Sequence, residues 1–257
     1  MNQNLKKALR CLNCGGELED LQSFLRCLGC HREYNRRGNS FFFSNTGEFI
    51  SGDKTDSLIF GVKNLFKKAP GLFRLFYCLI YPRAGTTSRK FIRNLPSEAL
   101  IINLGSGVMA IDPRVIDVDY TTYPNVSIVA DARHLPFKDG SIDAIISESL
   151  LEHTPDPDKI VAEMRRILKP GGLIYTLTPF MLGFHSSPND YYRWTKEGLK
   201  ELFKDFEMKE SGAAFGPTSA LTTMVIEWIS MALSFGNKNL YQFLYLCLLP
   251  FLIIFNS

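Results

Sequence analysis

The chain has 257 residues, which is room for one full-size α/β domain and a small appended module. Hydrophobic residues make up 46% and charged residues 21%, as in proteins with a substantial core. The formal net charge of +3 is too small to require a nucleic-acid partner. No apolar run follows the polar first residues, so we expect no secretory signal, and the paired cysteines favour a reducing cytoplasm.

Four of the six cysteines form two close pairs in the first segment, residues 1–50. Each Cys-x-x-Cys sequence places two thiolates on one turn, and the adjacent glycines permit that turn. Two such turns complete the four-sulfur shell of a structural zinc ion. We therefore predict a zinc ribbon of short strands; the alternative is a cysteine cluster without metal. The predicted ligands are Cys11, Cys14, Cys27 and Cys30.

A connector at residues 51–98 carries apolar residues at helical spacing between about 58 and 80. Pro70-Gly71 divides this run into two helices, which we expect to pack on the main domain. The alternative is a basic amphipathic surface that contacts a membrane or an anionic substrate. Its charged residues would be Lys63, Lys67, Lys68 and Arg74.

Strands and crossovers alternate through residues 99–216. Apolar runs predict strands at 99–104, 115–119, 126–130, 142–147 and 172–178, and an amphipathic pattern predicts a helix at 158–168. A glycine C-cap and a turn are expected at 169–172. This alternation predicts an α/β fold with a mostly parallel sheet and a ligand at the carboxyl ends of the strands.

A glycine-rich loop and two acidic residues mark the predicted ligand site. Gly105 and Gly107 directly follow a strand, so the backbone can approach a ligand closely. Asp119 ends the next strand, where its carboxylate can accept both ribose hydroxyls of a nucleoside. Asp131 ends the third strand, within reach of an adenine amino group. Together these features indicate a nucleoside cofactor more strongly than a Gly-x-Gly sequence alone.

Residues 101–178 resemble the class I S-adenosylmethionine-dependent methyltransferases of the type 11 branch. The matching blocks are Asn-Leu-Gly-Ser-Gly at 103–107, Asp-Ala-Arg-His-Leu-Pro-Phe at 131–137, Asp-Gly-Ser-Ile-Asp-Ala-Ile-Ile-Ser at 139–147, Leu-Leu-Glu-His at 150–153 and Glu-Met-Arg-Arg-Ile-Leu-Lys-Pro-Gly-Gly at 163–172. The resemblance implies a Rossmann-like domain, with helices on both faces of the sheet, that uses S-adenosylmethionine. It implies that the cofactor site consists of Asn103, Gly105, Ser106, Gly107, Asp119, Asp131, Ala132, Ser147 and Glu148.

Two departures from that family concern the first crossover. The family usually opens the loop with an acid, and this chain has Asn103. The spacing from Gly107 to Asp119 is several residues short, so the first crossover helix is expected to shrink to a turn around Met109-Ala110-Ile111. Zinc-ribbon-bearing bacterial members resemble the chain in this respect.

The loop after the last predicted strand is dense in polar and aromatic residues and resembles the lid of that zinc-ribbon subfamily. We predict that His185 acts as base or substrate ligand, and that Asp190 orients it or binds substrate. Tyr191 and Arg193 are predicted substrate contacts. The alternative for Asp190 and Arg193 is an ion pair that caps a helix starting near Thr195. His153 matches a family position near the cofactor, or else it packs under the sheet.

The last segment, residues 217–257, is largely apolar. A helix is predicted from 218 to 235 with Glu227 as its one charged residue, and a second apolar run follows the break at 236–239. The second run is shorter than the ~20 residues of a membrane-spanning helix. We expect the tail to pack on the domain or to lie at a membrane surface.

The leading interpretation is a cytoplasmic enzyme, in membrane association if the tail meets lipid, that methylates a small-molecule, glycan or lipid-linked acceptor. An RNA methyltransferase that holds RNA with its zinc ribbon is the second interpretation, and a nucleic-acid partner is the less favoured. A non-catalytic scaffold that binds a partner protein is the third.

Overall fold

The computed structural model describes residues 3–43, 85–183, 185 and 189–248. The predicted connector helices, their basic residues and Cys78 lie outside the described residues, as does the end of the apolar tail from 249 onward. The predicted limits of the four segments stay predictions.

One nine-stranded sheet runs through the described chain in the order β1-β2-β3-β4-β7-β6-β5-β8-β9. The strands are β1 (Leu18–Asp20), β2 (Phe24–Cys27), β3 (Glu33–Arg37), β4 (Ser40–Phe42), β5 (Ile101–Leu104), β6 (Val115–Asp119), β7 (Ile128–Val129), β8 (Ile142–Glu148) and β9 (Leu168–Leu177). The described α-helices are α1 (Gln3–Ala8), α2 (Ser88–Arg93), α3 (Pro157–Ile167), α4 (Lys196–Leu202), α5 (Pro217–Ser234) and α6 (Lys238–Leu248).

The five strands β5 to β9 are parallel and confirm the predicted α/β fold. Alternation along β5 explains the layers: Ile101 packs with Ile92 of α2 on one face, whereas Ile102 packs with Met164 of α3 on the other. All four residues of β5 are buried, as expected for a central parallel strand covered on both faces. The helices therefore lie on both faces, as the resemblance implied.

The amino-terminal strands continue this sheet. Consecutive strands from β1 to β4 pair antiparallel with each other. β4 then pairs parallel with β7, where Phe41 lies opposite Ile128. Before β1, Leu9 bridges to Phe137. The buried residues of this module belong to the same hydrophobic cluster as β5 and α3. The described residues 3–43 are thus packed into the α/β core and extend the edge of its sheet.

The entry to β9 differs from the prediction. The glycine C-cap expected at 169–172 is wrong, because α3 ends at Ile167 and Leu168 is already extended at φ −74° and ψ 134°. The glycines lie instead in a register shift of the β8–β9 pair, where Gly171 has φ +77°. A Cβ on Gly172 would meet the side chain of Leu168 at 2.7 Å. Close packing within the bulge, and not helix termination, explains this pair of glycines.

The first crossover is a short loop. The described segment between β5 and β6 contains turns and irregular backbone but no helix, which confirms the predicted truncation, although the turns lie on either side of 109–111. The loop folds straight back on β6, since N–H of Gly105 donates to the carbonyl of Val118 at 2.9 Å.

The two tail helices lie near their predicted positions and pack against each other. α5 buries a row of small polar residues: Ser219, Thr223, Ser230 and Ser234. Apart from the buried Ile226, most of its large apolar residues are exposed, with Trp228 at 68% and, just past its end, Phe235 at 89%. Within the described part of the chain, no helix is both long and apolar enough to cross a bilayer.

Candidate functional site

The glycine loop and Asp119 meet at the carboxyl end of the central strands. Gly105 and Gly107 have φ of +69° and +56°, in the left-handed region that glycine tolerates best. A Cβ on Gly105 would lie 2.9 Å from the side chain of Leu150, so glycine is also needed for space. At Gly107 an added Cβ would meet nothing within 4 Å, so the loop borders open space.

Asp119 is anchored by this loop. Its Oδ2 accepts a hydrogen bond from N–H of Gly107 at 2.8 Å, and its Oδ1 accepts from N–H of Thr121 at 2.7 Å. Burial raises the pKa of Asp119 more than these two bonds lower it. Each carboxylate oxygen keeps a further lone pair, so the carboxylate can still accept hydroxyl groups of a ribose.

Asn103 takes part in a buried polar group beneath the loop. Its Nδ2 donates to Oδ1 of Asp117 at 3.0 Å, and Asn125 donates to the other oxygen of the same carboxylate at 3.0 Å. Burial raises the pKa of Asp117, although both amides oppose that shift. The amide at 103 thus holds a neighbouring carboxylate in place. A direct contact of Asn103 with the cofactor stays a prediction.

Asp131 follows β7 and is clamped by Arg133, whose Nη2 lies 2.7 Å from Oδ2 and whose Nε lies 3.0 Å from Oδ1. Burial would raise the pKa of Asp131, but the hydrogen bonds from Arg133 lower it overall. Arg133 also reaches Asp156 at 3.2 Å. Ala132, between Asp131 and Arg133, is half-buried against the core.

Buried hydroxyl groups cluster at the same end of the sheet. Ser147 is 1% exposed, pairs with Leu104 in β5 and precedes Glu148 at the end of β8. Among the described residues, several buried hydroxyls here have no hydrogen-bond partner, which fits a polar ligand in the adjoining space. They belong to Ser106, Ser147, Thr176 and Thr178.

The lid after β9 is held by Arg193. All its N–H groups are used: Nε donates to the carbonyl of Leu182 at 2.8 Å, and Nη2 donates to Gly183 at 2.7 Å and to Asp190 at 2.6 Å. Nη1 donates to Asp190 and to the carbonyl of Tyr192. These hydrogen bonds hold the pKa of Asp190 at about 2. The ion pair considered as an alternative is therefore present; substrate binding by Arg193 stays a prediction.

His185 lies on this lid and faces the sheet. Its backbone N–H donates to Oδ2 of Asp190 at 2.9 Å, which anchors the backbone at 185; orientation of the ring by Asp190 stays a prediction. Its ring meets that of His153 edge-on, with centroids 5.0 Å apart. Tyr191 is 48% exposed, and its N–H donates to the carbonyl of Glu152 at 2.7 Å. The structure thus brings the predicted lid residues beside His153.

Two acidic residues near the lid had not been assigned to the site. Glu152 is fully buried, and its Oε1 is 3.8 Å from Nε2 of both His153 and His185. Glu227 of α5 lies against the lid, because a Cβ on Gly183 would overlap its carboxylate. Glu152 stands in one of the matching blocks, which was a usable signal. The isolation of Glu227 in an apolar helix was the only hint of its position.

The four predicted metal ligands converge at the amino-terminal end. Their sulfur atoms all lie within 4.8 Å of one another, with Cys11 3.6 Å from Cys30 and Cys14 3.3 Å from Cys27. Four sulfurs at the vertices of a tetrahedron 2.3 Å from zinc would be about 3.8 Å apart. Glycine is required alongside, since a Cβ on Gly16 would lie 3.1 Å from Sγ of Cys27.

Comparison with known proteins identifies the central domain. Residues 95–176, about a third of the chain, match the family model of a methyltransferase domain. An uncharacterized methyltransferase of Mycobacterium tuberculosis is 31% identical over 96 residues, covering 34% of this chain and 38% of that relative. A ubiquinone/menaquinone biosynthesis C-methyltransferase of Desulfotalea psychrophila is 35% identical over 92 residues, covering 36% and 30%. The chain thus spans less than half the length of these relatives.

A solved phosphoethanolamine N-methyltransferase 2 of Haemonchus contortus, in complex with phosphomonomethylethanolamine and S-adenosylhomocysteine, aligns with a TM-score of 0.45 and 21% identity. The alignment covers 71% of this chain and 54% of that protein. The domain assignment depends on the family match together with the parallel strand order, the glycine loop and the acids at the strand ends. The chain therefore carries a class I S-adenosylmethionine-dependent methyltransferase domain.

Proposed function

We propose that this chain transfers a methyl group from S-adenosylmethionine to a small-molecule, glycan or lipid-linked acceptor. One observation carries the proposal. The Gly105–Gly107 loop, Asp119 and the unpartnered hydroxyls lie together at the carboxyl ends of the strands, within a methyltransferase domain. S-adenosylmethionine, when bound, supplies an electrophilic methyl group on a sulfonium.

The residues of the chain then bind the cofactor, orient the acceptor and shield both from water. Asp119 would accept the ribose hydroxyls, the glycine loop would border the methionine part, and Asp131 with Ala132 would border the adenine. Because Arg133 already occupies Asp131, the adenine contact would share that carboxylate. Ser147 and Glu148 would line the floor of the site from the end of β8.

The acceptor would enter from the lid side. His185, positioned by Asp190 and 34% exposed, is the group best placed to contact it as a base or as a ligand. Tyr191 offers an exposed ring next to it. Methyl transfer depends chiefly on an in-line approach and on exclusion of water, so a lid built on a fixed Asp190–Arg193 pair suits the reaction.

We further propose that the four-cysteine cluster holds a structural zinc ion. Four thiolates fill a tetrahedral shell and leave no open position for catalysis. Tyr34 supports the cluster: its hydroxyl lies 3.2 Å from Sγ of Cys11, and it accepts from N–H of Leu12 at 2.9 Å. With its acceptor side used in this way, the phenol is set to donate to the sulfur.

The exposed apolar face of α5 supports the proposal that this enzyme contacts a membrane surface. Residues spaced by three or four positions form this face, and a contiguous apolar surface of that kind marks an interaction site. They are Leu221, Met224, Val225, Trp228 and Met231. Flotation with lipid vesicles tests this part; a chain that stays in the dense fraction would rule it out.

RNA is the alternative acceptor. Arginine side chains lie over aromatic rings on the amino-terminal strands, for example Arg26 over Phe24 and Arg36 over Phe41, at 5.2 and 5.3 Å. Such a surface suits an anionic polymer. RNA retention that falls steeply with salt would favour this alternative.

Isothermal calorimetry with S-adenosylmethionine tests the leading proposal. The intact chain should bind it, Asp119→Ala should abolish detectable binding, and His185→Ala should retain the wild-type affinity. Absence of binding by the intact chain would favour a non-catalytic scaffold that binds a partner protein. Equal loss in both variants would contradict the assigned roles.

A further inference from the structure

A second group of metal-type ligands lies between the sheet and the lid. It consists of Glu152, His153 and His185, each of which offers one ligand atom within 4.8 Å of the others. Glu152 and His153 belong to a 3-10 turn, Leu151–His153, that follows β8. Leu150, next to this turn, is the residue that packs on Gly105, so the group is close to the glycine loop.

The carboxylate of Glu152 is buried without a hydrogen bond, and Arg193 acts on it through its charge alone. It is 0% exposed, and within the described chain neither oxygen makes a hydrogen bond. The separation of 3.8 Å from each Nε2 is well beyond the usual limit of about 3.2 Å for an N–H···O bond. A carboxylate buried without a hydrogen bond costs several kcal/mol, so a cation bound directly among these atoms would compensate its charge.

The outer ring nitrogen of His153 fixes the orientation of that ring. Nδ1 of His153 is 2.6 Å from the carbonyl oxygen of Asn189, which can only accept, so Nδ1 carries the hydrogen. Nδ1 of His185 lies 3.3 Å from the carbonyl of Gly183, which accepts, and 3.3 Å from Nη2 of Arg193, which donates. The neutral ring of His153 therefore directs the lone pair of Nε2 toward Glu152, and the ring of His185 does the same in the tautomer that donates to Gly183.

At His153 this is the pattern that orients histidine for a metal, with the outer nitrogen donating to a carbonyl. If a protonated histidine neutralised Glu152 instead, its Nε2–H would donate to the carboxylate at about 2.8 Å. The observed separation of 3.8 Å leaves the three atoms around a common centre.

We propose that Glu152, His153 and His185 bind a divalent transition-metal ion such as Zn²⁺ or Mn²⁺. Two histidines and one carboxylate are a known ligand set for such ions, and three protein ligands leave a position open. An oxygen of the acceptor fits that position. This role rests on the proposed function and specifies the acceptor as a hydroxyl compound, whose proton the cation makes more acidic so that solvent water can take it. The oxygen would then bond to the methyl group as the sulfur–methyl bond of the sulfonium breaks, and S-adenosylhomocysteine would leave. His185 then acts as a metal ligand and not as the base.

Metal content of the full-length protein tests the proposal. The protein is stripped with a chelator, reloaded with Zn²⁺ and dialysed before zinc is counted. We expect two ions per chain in the wild type, of which one belongs to the cysteine cluster, and one per chain in His185→Ala and in Glu152→Gln. His134→Ala, which removes an exposed histidine outside the group, is the matched control and should retain two.

Mn²⁺ followed by electron paramagnetic resonance gives a second readout. Mn²⁺ favours oxygen and nitrogen over thiolate, so it should report this site and not the cysteines. One ion should bind per wild-type chain, and binding should weaken at least tenfold in His185→Ala.

Equal zinc content in the wild type and His185→Ala, with no Mn²⁺ bound by either, would overturn the proposal. Calorimetry with S-adenosylmethionine on the same samples separates the two hypotheses. Loss of metal with unchanged cofactor binding supports the site in a folded variant. Metal bound by a chain that does not bind the cofactor would support this site but reject the proposed function.

Discussion

The buried Asn103–Asp117 pair makes a quantitative prediction. Asn103→Asp restores the acid that related loops usually carry, but here it places a second carboxylate about 3.0 Å from Asp117. Two charges at that distance repel by ~5 kcal/mol at an effective dielectric constant of 20. Holding a proton on an acid of pKa near 3.9 at pH 7 costs ~4 kcal/mol. Sharing one proton between the two carboxyl groups therefore costs less free energy than ionising both. The free energy of unfolding of Asn103→Asp should fall by about 4 kcal/mol at pH 7.

The sign of the pH dependence follows from the raised pKa of the pair. A carboxyl that the folded state keeps protonated has a higher pKa folded than unfolded. Its contribution is fully present below about pH 4 and is lost as pH rises. The loss of stability should therefore shrink to ~1.5 kcal/mol at pH 5, because that pH is only about one unit above the pKa of a free aspartic acid.

Urea unfolding of the wild type and Asn103→Asp at pH 5 and pH 7 measures this difference. The matched control is the exchange Asn103→Asp with Asp117→Asn, which restores one amide and one carboxylate and should recover most of the stability at pH 7. A loss of equal size at both pH values, or no recovery in the double variant, would refute the electrostatic account.

Two further predictions concern the lid and the cysteine cluster. Arg193→Lys keeps the charge but offers three hydrogen-bond donors instead of five. The lid should therefore lose about 2 kcal/mol of stability, and protease should cut it faster between 179 and 195. Unchanged protection from protease with reduced turnover would instead indicate a substrate contact. Tyr34→Phe removes the hydroxyl at Cys11 and should weaken zinc binding about 10-fold in competition with a chelator; an unaltered affinity would show that the hydroxyl does not support the cluster.

The parallel sheet was predictable because its signals are local. Runs such as Ile101–Leu104 are apolar on both faces, and glycines or acids follow directly where strands end. The truncated crossover was predictable from spacing alone, since too few residues separate Gly107 from Asp119 for a helix and its two loops.

Long-range pairings were not predictable from such signals. Nothing local shows that β4 would pair with β7 about 90 residues away, because a three-residue strand is compatible with many partners. The meeting of Glu152 with His185 depends on how the lid folds back over the sheet. Predicting the bulge at Gly171 and Gly172 would also have required the register of the β8–β9 pair, because the same glycines suit a helix end equally well.

The junction of β4 and β7 connects the amino-terminal module to the strand that precedes Asp131, a residue of the proposed cofactor site. β7 is two residues long, and N–H of Phe43 donates to its last carbonyl at 2.8 Å. Asp131 follows two residues later. A chain shortened to begin after residue 43 would present β7 as an open edge, available to other chains and without a neighbour to fix the loop that carries Asp131. Removing the thiolate cluster in this way would then also lower the affinity for a nucleoside, because the amino-terminal module supplies the strand that covers β7.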